Sequence, residues 1–246
     1  DKEGRAVGQL LVKAADLGDI SSLALTELAG KVDATVDLAV ENAVQVVRVK
    51  ADASGVSAFD AQIGAADITA TVRDPAGTMM VDADIDARAL DVGGQRIDDL
   101  KVTAEGGADE NTVSVSVKAL GASLDANGAV ALVDGDATIN LAGLTVTGGG
   151  QTGTLAKPAT IRIADGGATI EGFSLRTGGG GIDIDGKAGE TLDLKVAINA
   201  LPLALADIAM PGSGISGTVS GTADITGPAT APAGDYRLQV SGLLLP

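Results

Sequence analysis

Apolar and polar residues alternate with a period of two along almost the whole chain, the signature of strands with one dry face and one wet face. Between Lys31 and Glu41, Val32, Ala34, Val36, Leu38 and Val40 fall on one side, with Lys31, Asp33, Thr35, Asp37 and Glu41 mostly on the other. From Thr78 to Ala87, Val81, Ala83 and Ile85 oppose Asp82, Asp84 and Asp86. From Thr112 to Leu120, Val113, Val115 and Val117 oppose Ser114, Ser116 and Lys118. From Thr191 to Ile198, Leu192, Leu194, Val196 and Ile198 oppose Asp193 and Lys195. Gly8 to Ala14, Val44 to Ala53, Gln62 to Val72, Ala137 to Thr147, Ala159 to Ala164 and Gly181 to Gly186 follow the same rule.

Helical spacing is expected in two short places. In Asp19 to Leu28, residues Ile20, Leu23, Ala24 and Leu28 would share a face, Asp19 or Ser21 could cap, and Gly30 follows the end. A second short helix is expected just after Asn199, before a glycine turn. Turn chemistry separates the strands at Asp74-Pro75-Ala76-Gly77, Gly93-Gly94, Gly106-Gly107, Asn127-Gly128, Asp134-Gly135, Gly148 to Gly150, Gly166-Gly167 and Gly178 to Gly181. Roughly fifteen strands result, near the 8–12-residue spacing of an antiparallel meander. The strongest interruption is expected at Gly227 to Pro232, the next at Gly148 to Pro158.

The chain also echoes itself. At an offset of 187 (217 − 30), Gly30-x-Val32-x-x-Thr35-x-Asp37-Leu38 lies over Gly217-x-Val219-x-x-Thr222-x-Asp224-Ile225. At an offset of 157 (224 − 67), Ala66-Asp67-Ile68-Thr69 and Pro75-Ala76-Gly77 lie over Ala223-Asp224-Ile225-Thr226 and Pro232-Ala233-Gly234. Such repeats imply one supersecondary unit stacked on its neighbours. The expected organisation is a first β-repeat unit over 1–150, carrying the N-terminal helix, and a second over 151–246 that continues the same sheet.

Composition narrows how such strands can bury their dry faces. Of 246 residues only Phe59, Phe173 and Tyr236 are aromatic, against 35 glycines. Without the large buried area aromatics supply, a thick central core is not expected. The fold class expected is all-β: an elongated, curled antiparallel sheet, either a taco-like groove or a β-solenoid, with one or two short helices.

The formal charge of −16 argues against nucleic acid as a partner and against an electrostatic hold on anionic headgroups. With no Cys and no His, disulfides, thiolate or imidazole metal sites and Ser–His or Cys–His catalysis are excluded. No apolar run long enough to span a bilayer occurs. The charged opening Asp1-Lys2-Glu3-Gly4 and the apolar close Leu243-Leu244-Leu245-Pro246 lead to the expectation that the chain is a piece of a longer protein.

Several motifs suggest chemistry and are better read as turns or solvated faces. Gly148-x-Gly150-x-x-Gly153 and Gly212-x-Gly214-x-x-Gly217 match the dinucleotide fingerprint, but each leads into strand-like residues rather than the helix that must hold the pyrophosphate. Gly178 to Asp185 begins like a calcium-binding nonapeptide, yet its apolar position falls on Asp185 and no tandem copy follows. Asp82, Asp84 and Asp86, like Asp183 and Asp185, sit two apart on strands and form a solvated stripe that also discourages edge pairing. No Ser-x-x-Lys occurs. No catalytic residue, metal ligand or cofactor is therefore expected, and the chain is not expected to be an enzyme.

What remains is the dry face. As the lining of an open groove it would take apolar chains, with Val36, Leu38, Val81, Ile85, Val115, Ile184, Leu194 and Val219 as candidate lining residues.

Leu201-Pro202-Leu203, the run Gly217-Thr218-Val219-Ser220-Gly221-Thr222-Ala223-Asp224-Ile225-Thr226-Gly227, and Pro232 resemble the TamB family, the large AsmA-like proteins of the translocation and assembly module. Leu155-Ala156-Lys157-Pro158-Ala159-Thr160-Ile161 and Gly180-Gly181-Ile182-Asp183-Ile184-Asp185-Gly186 are similar to the family as well. Asp19-Ile20 through Leu28-Ala29-Gly30-Lys31-Val32 extends the resemblance toward the N-terminus. It implies a Gram-negative periplasmic protein, anchored in the inner membrane by an N-terminal helix not included here. It also implies an apolar β-groove that shields phospholipid acyl chains between the two membranes, and a link to outer-membrane protein assembly. A TamA-type outer-membrane barrel would be a partner through regions outside this chain. Two other readings stay open: a chaperone-like scaffold accepting outer-membrane strands at its sheet edges, and a structural or adhesin-like β-solenoid with a closed core.

Overall fold

Short aliphatic side chains alternating with Asp, Thr and Lys favour extended backbone, and the glycine pairs supply the turns that reverse it. The structure, a computed structural model, is described for residues 5–21, 26–59, 61–107, 110–133, 135–208 and 214–244. It is all-β and antiparallel, in two units, residues 1–119 and 120–246.

The first unit runs β1 (Gly8–Ala14), β2 (Leu28–Glu41), β3 (Val44–Ala58), β4 (Ala61–Arg73), β5 (Met80–Val92), β6 (Gln95–Gly107) and β7 (Asn111–Ala119). Each strand pairs antiparallel with the next. The second unit runs β8 (Ala122–Val133), β9 (Asp136–Gly148), β10 (Gln151–Leu155), β11 (Ala159–Ala164), β12 (Gly167–Thr177), β13 (Gly181–Ala188), β14 (Thr191–Pro202), β15 (Ser216–Pro228) and β16 (Ala233–Leu244). β10 and β11 together occupy one place between β9 and β12. They are separated at Lys157-Pro158, where proline removes a ladder donor, while Ala156 N donates to Ser174 O at 2.8 Å. Gly148–Gly150 is thus a hairpin turn inside the second unit, and Gly227–Pro232 connects two paired strands.

Among the described residues, four hairpins inside the units turn on two residues that both have positive φ: Asn42-Ala43, Gly93-Gly94, Gly149-Gly150 and Asp165-Gly166. This is the type I′ geometry, whose twist matches the flanking strands.

Both helical expectations are corrected. Leu17–Ile20 is a short 3₁₀ turn, with the Asp16 carboxylate, not Asp19 or Ser21, accepting from Gly18 N at 2.8 Å. Residues 22–25 of the expected helix lie outside the described residues. Leu28 already belongs to β2, because Ser21 Oγ accepts from Leu28 N at 3.0 Å and donates to Leu28 O at 3.2 Å, holding it extended opposite Ala58. Gly30 sits within that strand rather than beyond a helix. The second short helix is a 3₁₀ segment, Leu203–Ile208.

Asn127-Gly128 is not a turn but lies inside β8, where the register to β9 shifts around an extra residue, Ala142, in β9. A side chain at residue 128 would put Cβ 2.4 Å from Asn140 O, so glycine serves close backbone approach there.

The sequence echo has a structural counterpart. Gly30 (φ 101) and Gly217 (φ 120) both lie at register shifts near the start of long strands. Each faces a second left-handed glycine 25 residues on (30 to 55, 217 to 242) in the partner strand: Gly55 (φ 59) and Gly242 (φ 62). A Cβ on Gly30 would lie 2.5 Å from Gly55 O, and one on Gly217 would lie 2.8 Å from Gly242 O. Backbone meets backbone at both places, so nothing flexible can yield.

Gly30→Val is expected to destabilise the fold by about 2 kcal/mol or more. Gly8→Val, at a position with open space around it, is expected to change stability by less than about 0.5 kcal/mol. Urea unfolding of the two variants followed by far-UV circular dichroism checks the contrast. Equal midpoints would mean that the glycine pair does not constrain the strand.

Candidate functional site

Register converts the alternation of single strands into continuous apolar rows, because directly opposed residues project from the same face. In the first unit one row is Leu38, Val47, Val72 and Val81. Two residues along the strands lies Val36, Val49, Ala70, Ala83, Ala104 and Val113. Two further on lies Ala34, Ala51, Ile68, Ile85, Val102 and Val115. The sequence-derived candidates Val36, Leu38, Val81, Ile85 and Val115 therefore share one apolar face.

The second unit has the same construction. Ile184 stands between Phe173 and Val196, and the row continues through Ala223 to Tyr236. Leu194 pairs with Ile225, and Val219 stands between Leu201 and Val240. Ile184, Leu194 and Val219 thus share the apolar face of this unit. Residues outside the candidate set, such as Val47, Ile68, Val102 and Ile225, complete the rows. Their signal was available: aligning hairpins on their turns pairs them with the named positions.

These faces are half-open. All eight candidate residues are of intermediate exposure, neither buried nor fully exposed. Among the described residues only Val46, Ala66, Ala87 and Ala159 are buried apolar residues, and Val46 is the one large side chain with almost no exposure. A second packed layer would have driven the row residues to burial. Instead the aliphatic rows cover one another only side to side.

The opposite face is acidic. Asp33, Asp52, Asp67 and Asp86 form a single row across β2 to β5, ended by Lys13 on β1 and Lys101 on β6. Lys101 Nζ reaches Asp86 at 3.2 Å. Asp82 and Asp84 lie opposite Thr71 and Thr69 on β4, exposed to solvent. Among the described residues no group of three or more acidic side chains is arranged to hold a metal ion.

The other tempting motifs resolve into hairpin chemistry. Gly149-Gly150 is a turn and Gly153 lies in β10; Gly217 lies in β15, while Gly212 falls outside the described residues. Neither has the helix N-terminus a pyrophosphate requires. In Gly178 to Asp185, Asp183 accepts two bonds from Arg176 Nη2, at 2.7 and 3.0 Å. Asp185 accepts from the backbone N–H of Gly172, holding the bulge of β12. The Arg176 bond, helped by the buried Ser174 hydroxyl, holds the Asp183 carboxyl below the usual carboxylate range. Arg48 does the same for Glu41.

Comparison with protein families, with curated proteins and with solved structures finds no match.

Because the folded pKa of Asp183 is depressed, its contribution to stability is present above the unfolded carboxylate value and is lost as pH falls through the lower folded value. The pair is half-exposed, so removing it is expected to cost less than about 1 kcal/mol at neutral pH. Arg176→Gln is expected to raise the Asp183 pKa and to flatten this part of the loss of stability below about pH 4. Carbon-detected NMR titration of the Asp183 carboxyl reads the first effect and acid unfolding the second. An unmoved titration would show that Arg176 does not set it.

Proposed function

We propose that this chain is a periplasmic segment of a TamB-like protein whose apolar β-faces shield phospholipid acyl chains between the inner and outer membranes. The observation that carries the reading is the set of in-register aliphatic rows left half-open in each unit, such as Val36–Val49–Ala70–Ala83–Ala104–Val113 in the first. Each methylene buried against such a surface is worth about 0.8 kcal/mol, so a chain of about 16 carbons gains roughly 10–13 kcal/mol before ordering costs. The attraction is non-directional, so an occupant is held without being fixed at one position. The net charge of −16 adds no pull on anionic headgroups, so the chains rather than the heads are what is recognised. The family resemblance points the same way and links the protein to outer-membrane assembly, with a TamA-type barrel as partner through other regions.

A second reading, a scaffold that accepts outer-membrane strands, draws on β16. All twelve of its residues are exposed, Tyr236, Leu238, Val240, Leu243 and Leu244 among them, and among the described residues it pairs with β15 alone. Such an edge can template another strand. Capture of an alternating peptide that survives polar substitution of the apolar rows would favour this reading over the groove.

Mass spectrometry of an organic extract of the chain, purified without detergent, tests the lipid reading; near one phospholipid or more per chain is expected. Leu194→Asp and Val115→Asp each put a charge on an apolar row at a half-open position. Each is expected to lower lipid retention about tenfold or more while leaving the strand signal in circular dichroism. Retention equal to the parent chain in both variants would sink the groove assignment.

A further inference from the structure

Among the described residues β16 has a strand on one side only, yet it is built like an interior strand. It is twelve residues long and carries neither lysine nor proline, two residues that commonly blunt an edge. Its apolar side, Tyr236, Leu238 and Val240, stands opposite Ala223, Gly221 and Val219 of β15 and continues their rows. Tyr236 is 76% exposed and Leu238 58%. An uncovered edge of this kind favours the addition of one more strand, and the residues of β16 specify which strand fits.

The polar side of β16 carries two charges, Asp235 and Arg237. Asp235 lies directly opposite Asp224 of β15, and Arg237 lies opposite Thr222. Like charges directly opposite one another repel. Among the described residues no salt bridge reaches Asp224, Asp235 or Arg237. An antiparallel second copy of β16 supplies the missing partners, provided the two-fold axis passes through Tyr236. Asp235 of each copy then faces Arg237 of the other, and Tyr236 faces its own counterpart. Gly234 faces Leu238 of the other copy, beside a concavity of about 300 Å³ lined by Asp224, Ile225, Pro232 and residues 233–236. Neighbouring positions of the axis fail. An axis at Asp235 or Arg237 opposes like charges. An axis between two residues turns the apolar side of one copy to the polar side of the other. An axis at Leu238 leaves both charges without partners and draws Gly242 into the ladder, where φ is 62° and the register with β15 shifts.

We propose that two copies of this chain associate through β16, edge to edge and antiparallel, about a two-fold axis at Tyr236. The interface is isologous, so each contact off the axis occurs twice and the assembly closes at two copies. The apolar row Val196, Ala223 and Tyr236 runs on into the second copy. The proposal goes beyond the lipid reading, which it neither needs nor alters, and it fills the edge that the strand-accepting scaffold would leave open.

Analytical ultracentrifugation of the full chain over a wide range of concentration is expected to show a monomer–dimer equilibrium. Asp235→Arg sets cation against cation at both charged contacts, and Arg237→Asp sets anion against anion. Each is expected to weaken association about tenfold or more. Mixed in equal amounts, the two variants are expected to regain it, because one copy then brings two cations and the other two anions to the paired positions. Both positions are exposed, and circular dichroism checks that the strands are intact. A parent chain that stays monomeric at every concentration overturns the proposal. Association that grows beyond two copies overturns it as well, since that marks pairing of β16 with a different edge. Dimers that neither charge change weakens, or that mixing does not restore, overturn the axis at Tyr236 and the proposal with it.

Discussion

The antiparallel ladder carries this protein because its side chains are too small to do so. With aliphatic rows only half-covered, stability has to come from backbone hydrogen bonds and from many cross-strand contacts, each worth about 0.2–1 kcal/mol. That places a premium on register. A slip of one residue would turn Val36, Ile85 and Leu194 to the acidic side and bring Asp to the apolar side. Type I′ turns such as Asn42-Ala43 and Asp165-Gly166 fix the register at one end of a hairpin. The glycine contacts of Gly30 with Gly55 and Gly217 with Gly242 fix it near the other. The repeat in the sequence is therefore a repeat of constraints: where two backbones touch, only glycine fits.

The polar face is organised by the same register and answers a different problem. Four aspartates in one row repel one another, and the row ends at Lys13 and Lys101, so part of the repulsion is offset at its margins. The pairs Glu41–Arg48, Arg162–Glu171 and Arg176–Asp183 each join adjacent strands. They are solvent-exposed and individually weak. Their use is positional, since each favours one register over its neighbours. A charged outer face also makes pairing of that face with other chains costly, while the apolar face is left available.

Much of this was legible in the sequence. The strict alternation in Lys31 to Glu41 and Thr78 to Ala87 gave the strands and their dry faces, and the glycine pairs gave most turns. Asn42-Ala43 escaped notice because neither residue is glycine, although asparagine tolerates positive φ. Asn127-Gly128 looks like a hairpin turn, but the alternation before it runs on unbroken into Val130 and Leu132, which marks a continuous strand; the bulge is in β9, where the apolar phase shifts between Leu141 and Leu144. Leu28 at helical spacing from Ala24 suggested a helix, while pairing with Ala58, a contact thirty residues away, makes it strand.

The aromatic-poor composition then acquires a physical meaning. Bulky rings on a face would create pockets with preferred contacts, and a chain lying there would be held at fixed points. In the first unit, whose rows carry only Val, Ala, Leu and Ile, an acyl chain lying there as proposed would meet nearly uniform attraction, and its lateral displacement would exchange one set of methylene contacts for an equivalent set. Binding strength and mobility usually oppose each other; on a uniform aliphatic row they do not, because the barrier to sliding depends on the unevenness of the surface and not on its depth.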